Sequence, residues 1–158
     1  MRRWILIGTG AAVVVLVVVV AVVFATRGGG NGPGDQFERA AKAFHDQYGP
    51  GSQQLTKDLQ QASGGFTDAK YIAAQQDSRK LGDAFDTYGK AVKAIQFPDK
   101  AKSAAGDLGK ATDAGKLVFV NAAGFFDKNQ MQSTLDQYRP EVESALDKAE
   151  KALRAALK

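Results

Sequence analysis

The chain has 158 residues, no cysteine, one histidine and a formal net charge of +4, and this length is enough for one modest domain. Without cysteine it cannot form disulfides, thiolate metal sites, a cysteine nucleophile or a lipid-modified cysteine. Residues 1–34 hold three basic and no acidic residues, which leaves 18 basic and 17 acidic residues in 35–158. This near balance leaves no overall basic charge to attract nucleic acid, so we expect no nucleic-acid partner.

An uncharged apolar segment at residues 4–26 predicts a transmembrane helix. Its 23 residues would extend about 34 Å as a helix, and the apolar core of a bilayer is about 30 Å thick. The segment is rich in valine, but a lone strand in lipid would leave its backbone polar groups unpaired, which favours a helix. A cleaved signal peptide is the alternative. The apolar part of such a peptide usually has about 7 to 15 residues, which is shorter than this segment.

The charges beside this segment predict its orientation. Arg2 and Arg3 precede it and Arg27 alone follows it closely, so the positive-inside rule places residues 1–3 in the cytoplasm. Residues 27–35 include the sequence GGGNGPG, which predicts a flexible linker that spans roughly 15 Å. We therefore expect a single-pass protein of the cell membrane, with residues 36–158 as an extracytoplasmic domain close to the bilayer.

The domain at 36–158 is predicted to be all-α. Its apolar residues recur at steps of three and four, which is typical of amphipathic helices. Short connections at 63–67, 97–98 and 127–129 predict four antiparallel helices in an up-down-up-down bundle, the second capped by Thr67 or Asp68. The predicted core positions are Phe37, Ala41, Phe44, Tyr48, Leu55, Leu59 and Ala62; Ala74, Ser78, Leu81, Phe85, Tyr88, Val92 and Ile95; Ala101, Ala105, Leu108, Thr112, Gly115, Phe119, Ala122 and Phe126; and Met131, Leu135, Tyr138, Val142, Ala145, Ala149, Ala152 and Ala156, with Leu146, Leu153 and Leu157 widening the last stripe.

Two prolines and several glycines qualify this pattern. The apolar phase continues across Pro50 and Pro140, which predicts kinks inside long helices, with five or six shorter helices as the alternative.

Small residues are abundant: 22 of the residues in 35–158 are alanine, and the third helix region adds four glycines, Gly106, Gly109, Gly115 and Gly124. Small side chains let helices approach closely, so we expect a narrow core with little room for a large ligand.

Few residues suggest chemistry. His45 is predicted to be partly exposed beside the first apolar stripe, too far from Met131 to share a haem iron. Acidic pairs such as Asp83 with Asp86 are accompanied by lysine and arginine, which is typical of a solvated helix face; the acids at 141, 143 and 147 show the same pattern. We predict no cofactor, no metal site and no catalytic residue, and therefore no enzyme.

An aromatic group is the remaining candidate site. Phe66 lies in the first connection and Phe125 and Phe126 lie before the third, so the topology brings them to the end of the bundle far from the membrane. One interpretation is that they close the core. The other is a docking patch, extended by Tyr71 and Ile72, for an envelope protein or a wall polymer.

The composition and one short motif resemble a group of known proteins. The valine-rich segment, the abundance of Gly, Ala and Asp, and the stretch from Tyr88 through Ile95 to Phe97-Pro98 are similar to small exported helical proteins of actinobacteria. The resemblance implies an envelope location and no particular activity. The chain lacks the lipobox cysteine of the lipoproteins in that group, so attachment is expected to depend on residues 4–26.

The sequence thus predicts a membrane-anchored helical module that binds another protein as an adaptor in the cell envelope. The alternative is an extracytoplasmic domain that senses a small ligand or a metal ion near Pro50 and Pro140.

Overall fold

The computed structural model describes residues 32–65 and 67–158, and this part of the chain is helical with short connections and no β-strand. It contains four helices: α1, Pro33–Gln61; α2, Ala69–Ala94; α3, Asp99–Ala122; and α4, Lys128–Leu157. The predicted all-α domain of four helices is confirmed. The predicted transmembrane segment at 4–26 lies outside the described residues. Among the helices that are described, none is both long enough and apolar enough to cross a bilayer.

Contacts between the helices show that neighbours run antiparallel. Along three helix pairs, the contact position advances in one helix as it moves back in the other. Between α1 and α2, Phe44 contacts Tyr88 and Asp58 contacts Lys70; between α2 and α3, Ser78 contacts Phe119 and Lys93 contacts Asp113. Between α1 and α4, Glu38 contacts Arg154 and Tyr48 contacts Glu143. The start of α1, the α2–α3 connection and the end of α4 therefore share one end, here called the base. The α1–α2 and α3–α4 connections share the other end, here called the tip.

The helix boundaries follow local chemistry. α1 begins with Pro33, whose fixed φ and missing N–H suit the first position of a helix, so residues 33–35 belong to α1 and the predicted linker range was too long. Asp68, one of the two predicted caps, accepts hydrogen bonds from the backbone N–H groups of Lys70 and Tyr71 at 2.8 and 3.3 Å. Asp127 caps α4 in the same way, and the last connection, 123–127, is longer than the predicted 127–129 and lies earlier in the chain.

Both prolines lie inside helices. α1 continues through Pro50 and α4 continues through Pro140, which confirms long helices over the alternative of five or six shorter ones. A proline inside a helix removes one backbone hydrogen bond, at a cost of about 3 kcal/mol. The continuous apolar faces of α1 and α4 offset this cost, because a break would expose the buried side chains on either side of it.

The core occupies the space between the four helices, and most predicted positions are buried. At its centre Phe44 lies 4.9 Å from Phe85 and 4.8 Å from Tyr88 between ring centroids, and Phe85 lies 5.6 Å from Phe119. Packing at these separations adds to the stabilisation from burial of the rings. The buried aromatic residues of α1, α2 and α3 therefore link these three helices.

The buried face of α4 differs from the prediction. Tyr138, Ala145 and Ala152 are exposed, whereas Leu146 and Leu153 are buried with Val142 and Ala149. The predicted stripe advanced by 3.5 residues per turn, but a straight helix has 3.6, so the face that meets the core moves steadily ahead of a heptad pattern. The prediction was also wrong for Phe126, which was placed on the buried stripe of α3 and is exposed.

Glycines bring α2 and α3 close together, as predicted. A methyl group on Gly115 would overlap the ring of Phe85, and one on Gly89 would lie 2.7 Å from Oγ1 of Thr112. On α2, a methyl group on Gly82 would lie 2.8 Å from Cγ2 of Val120. The seam between α2 and α3 therefore depends on residues that have no side chain.

Candidate functional site

The predicted aromatic patch at the tip is only partly formed by exposed rings. Phe126 is 71% exposed, whereas Phe125 is half-buried and packs against the core. Tyr71 is fully buried, so its predicted place in an exposed docking patch was wrong, because its ring fills the core below the tip. Phe66 lies outside the described residues. Ile72 is 39% exposed at the same end as Phe126.

Hydrogen bonds hold the turn that presents Phe126. The hydroxyl of Tyr71 and the amide of Gln75 both donate to the backbone carbonyl of Phe125, each at 2.8 Å. Both donors lie on α2, whereas Phe125 follows α3, so the bonds fix the end of α3 relative to α2. Burial raises the pKa of Tyr71, and the nearby Asp127 carboxylate raises it further, so its hydroxyl remains a donor at neutral pH.

A polar cleft lies between α1 and α4. These two helices approach each other less closely than the other neighbouring pairs, and long polar side chains connect them. The cleft has a volume of about 300 Å³. It is lined by His45, Tyr48, Glu143, Leu146, Asp147, Glu150 and Arg154.

Glu150 is the central residue of this cleft. Its side chain is only 4% exposed, and its carboxylate accepts a hydrogen bond at 2.8 Å from the hydroxyl of Tyr88 on α2. His45 Nε2 lies 3.0 and 3.1 Å from its two oxygens, and Arg154 donates to it at 3.3 Å. Half of the His45 side chain is exposed, as predicted. A buried carboxylate requires such donors, since an unpaired buried charge is strongly unfavourable.

A second group of polar contacts continues the cleft toward the tip. The hydroxyl of Tyr48 donates to Glu143 at 2.5 Å, and Arg139 lies 3.6 Å from the same carboxylate. Arg139 also reaches the hydroxyls of Ser52 and Thr56 at 3.4 and 3.3 Å. The contacts of Tyr48 with Glu143 and of Ser52 with Arg139 lie within one helical turn of Pro50 and Pro140, so the two prolines are at similar heights in the bundle, as predicted.

Burial and nearby carboxylates raise the pKa of two tyrosine hydroxyls, those of Tyr48 and Tyr88. Burial raises the pKa of the Tyr48 hydroxyl, and the hydrogen bond to Glu143 raises it further. Burial likewise raises the pKa of the Tyr88 hydroxyl, followed by the charge of Glu150. Both groups therefore stay protonated and donate to carboxylates at neutral pH. The cleft gathers Glu143, Asp147 and Glu150, and each of these carboxylates has a basic partner on α4: Arg139, Lys151 and Arg154, respectively.

The acidic residues outside the core mostly form ion pairs on the surface. Asp86 accepts from Lys90 at 2.6 Å and from Lys116 at 2.9 Å, and Asp147 pairs with Lys151 at 2.7 Å. The interpretation of these acids as parts of solvated helix faces agrees with these contacts. Within residues 32–65 and 67–158, no three histidine, aspartate or glutamate side chains are grouped so that they could hold a metal ion.

Sequence reasoning missed the role of Glu150 and Arg154. One signal was present: Glu150 is spaced four residues after Leu146 and three before Leu153, which places it on the buried face of a straight helix. A second was the predicted burial of Tyr88, whose hydroxyl requires a partner in the core. In comparisons with family models, curated proteins and solved structures, the chain matches none.

Proposed function

We propose that this chain is a membrane-anchored adaptor that displays its helical bundle outside the cytoplasm and binds another protein of the cell envelope at the tip. Residues 4–26 serve as the anchor, and their length and lack of charge support this role. The bundle itself binds a partner and does not catalyse a reaction.

The observation that carries the binding role is the presentation of Phe126. Its ring is 71% exposed, yet the adjacent backbone is held by two hydrogen bonds from α2. A large aromatic side chain on a fixed backbone loses little conformational entropy on binding, which is a property of residues that dominate protein interfaces. The tip is also the end farthest from Pro33, where the chain from the anchor enters the bundle.

Site-specific photo-crosslinking of the full chain in its native membrane tests this role. A photoreactive phenylalanine analogue at position 126 should crosslink to one discrete protein, and Phe126→Ser should weaken its co-purification. Position 117 provides a matched control, because Leu117 is 59% exposed on the outer face of α3. The same crosslinking pattern at both positions, or none at either, would contradict a partner site at the tip.

The orientation can be tested separately. The chain has no cysteine, so a single cysteine can be introduced at Asn129 on the tip or at Arg3 before the anchor. A membrane-impermeant maleimide added to intact cells should label position 129 and leave position 3 unlabelled. Labelling at position 3 alone would reverse the proposed orientation.

The cleft between α1 and α4 favours a second candidate function, the sensing of a small cationic ligand. The supporting observation is that three carboxylates, Glu143, Asp147 and Glu150, line one cavity of about 300 Å³. Thermal unfolding with added polyamines or divalent cations should show stabilisation that Asp147→Asn weakens. Asp77→Asn is a matched control, because Asp77 lies on α2 outside the cleft. Equal effects of the ligands on both variants would remove this candidate.

A further inference from the structure

The distribution of charge along the bundle is strongly uneven. The three segments that form the base, 33–42, 90–105 and 148–158, contain ten basic and four acidic residues. The rest of the bundle, 43–89 and 106–147, contains eight basic and thirteen acidic residues. The near-neutral domain therefore has a base with a net charge of +6 and a remainder with a net charge of −5.

The basic charge at the base is accessible. Lys100, Lys148 and Lys158 are exposed, and no carboxylate in the described part of the chain lies within ion-pair distance of them. Other lysines at the base pair with acids, as in the contact of Lys102 with Asp99 at 2.7 Å, but both side chains of that pair are largely exposed. Such surface pairs are weak in water, so these lysines can exchange their partners for other anions.

The base also offers apolar surface between its lysines. A groove of about 270 Å³ lies at the α2–α3 connection, with Lys93 and Lys102 at its sides. Ile95 and Phe97, both partly exposed, contribute its apolar lining. A pair of ammonium groups beside apolar side chains matches the boundary between phosphate headgroups and acyl chains of a bilayer.

We propose that the base of the bundle docks onto a bilayer that contains anionic lipids, so that the bundle stands upright with its tip directed away from the membrane. This inference rests on the proposed anchor, since the linker brings the chain into the bundle at Pro33, on the same end. Docking extends the proposed function. A docked bundle cannot tilt freely on its linker, so Phe126 lies at a fixed height above the membrane. The acidic remainder of the bundle favours the same orientation, because an anionic surface repels it.

The test uses the full chain in lipid nanodiscs of phosphatidylcholine, with or without phosphatidylglycerol. A fluorophore is attached to a single cysteine at Ser103 near the base or at Asn129 on the tip, and quenching by nitroxide-labelled headgroups reports proximity to the lipid. We expect quenching at position 103 to increase with phosphatidylglycerol and to fall at high salt. Quenching at position 129 should stay low in both lipids.

Two matched sets of variants connect this signal to the base. Each lysine near an anionic surface strengthens binding roughly fivefold, so Lys100→Gln, Lys148→Gln and Lys158→Gln together should lower the ratio of docked to undocked bundles about a hundredfold. Lys57→Gln, Arg79→Gln and Lys80→Gln remove the same charge away from the base and should leave quenching unchanged. Circular dichroism verifies that both sets retain the helical fold.

The outcomes separate the two proposals. A chain that does not enter nanodiscs contradicts the anchor, on which docking depends. A chain that enters, but shows equal quenching at position 103 in both lipids, is held near the bilayer by its linker alone and contradicts docking while the anchor stands. Equal losses in the two variant sets would also contradict docking, because the signal would then follow net charge and not the base.

Discussion

Gly115 and Glu150 illustrate how single residues determine the packing of this bundle. Gly115 lies against the ring of Phe85, where any larger residue would overlap it. Glu150 lies in the core beside the cleft, where donors from α1, α2 and α4 surround its carboxylate. One position has no room for a side chain, and the other requires specific partners. Substitution at either should therefore affect stability more than substitution on the surface.

Replacement of Gly115 by alanine should destabilise the bundle. The added methyl group overlaps Phe85, and overpacking of this kind costs about 1 to 3 kcal/mol. Gly106→Ala is the matched control, because Gly106 is exposed in the same helix and has open space around it. There alanine should stabilise the helix by up to about 1 kcal/mol. Urea unfolding monitored by circular dichroism measures both changes, and a gain for Gly115→Ala would contradict the close α2–α3 seam.

Replacement of Tyr88 by phenylalanine should reduce the free energy of unfolding by about 1 kcal/mol. The change removes one donor to Glu150 and leaves His45 and Arg154 in place. Tyr138→Phe provides the control, because Tyr138 is 42% exposed on α4, and its loss should have little effect. If both variants unfold at the same urea concentration, the buried hydrogen bond contributes nothing measurable.

The helices differ in how they are joined. Small residues and aromatic rings bring α2 close to α3, whereas α1 and α4 meet through charged and hydroxyl side chains. Hydrogen bonds at a helix end also join two elements. The Asp68 carboxylate accepts from the backbone N–H groups of Ser63 and Gly64 as well as from α2, and so connects the α1–α2 turn to the start of α2. Backbone hydrogen bonds lower the pKa of Asp68, which keeps this cap charged.

Removal of a helix cap should destabilise the bundle. Asp127→Ala removes the acceptor for two N–H groups at the start of α4 and should cost about 1 kcal/mol. Asp68→Ala should cost more, because its carboxylate also holds the α1–α2 turn. Asp136→Ala, at an exposed site inside α4, is the control and should have little effect. Thermal unfolding compares the three, and the reverse order for the two caps would contradict the role of Asp68 in the turn.

The features of this bundle that the sequence predicted correctly are those set by residues close together in the chain, whereas contacts between distant segments were missed. Helix number, the Asp68 cap and most of the α1 and α2 stripes depend on residues close together in the chain, and these predictions are confirmed. The cleft joins residues such as His45 and Glu150, which are 105 positions apart. Their meeting depends on the rotation of α1 and α4 relative to each other, which an apolar stripe does not define. The burial of Tyr71 was missed for a different reason: Tyr71 is spaced three residues before Ala74 and continues the α2 stripe, but it was assigned to the docking patch.

Titratable groups throughout the bundle make its stability dependent on pH at both extremes. Hydrogen bonds from lysines lower the pKa of Asp58 and Asp86, and burial raises the pKa of Tyr48, Tyr71 and Tyr88. A carboxyl group whose pKa is lowered by folding stabilises the fold at pH values above its unfolded pKa of about 4. This stabilisation is lost as the pH falls through the lowered pKa of the folded state. A raised tyrosine pKa stabilises the fold below about 10, and this contribution is lost as the pH rises further.

The free energy of unfolding should therefore be highest between about pH 4 and pH 10 and should fall on both sides. Urea unfolding over a pH series measures this profile. Asp58→Asn should make the acid side less steep, because the variant has no carboxyl group to protonate at a site that is 3% exposed. Asp136→Asn, at an exposed site, should leave the profile unchanged. An acid side that is equally steep in Asp58→Asn would show that this ion pair does not contribute.

The polar connection between α1 and α4 has a mechanical consequence. Pro33 and Leu157 lie at the same end of the bundle, so tension applied between them would peel α1 away from α4 and would not shear the two helices past each other. The contact of Arg154 with Glu38 would break first, followed by the contact of His45 with Glu150 and then that of Tyr48 with Glu143. Because these contacts fail one after another, the bundle should open at low force along this side while the α2–α3 pair stays intact.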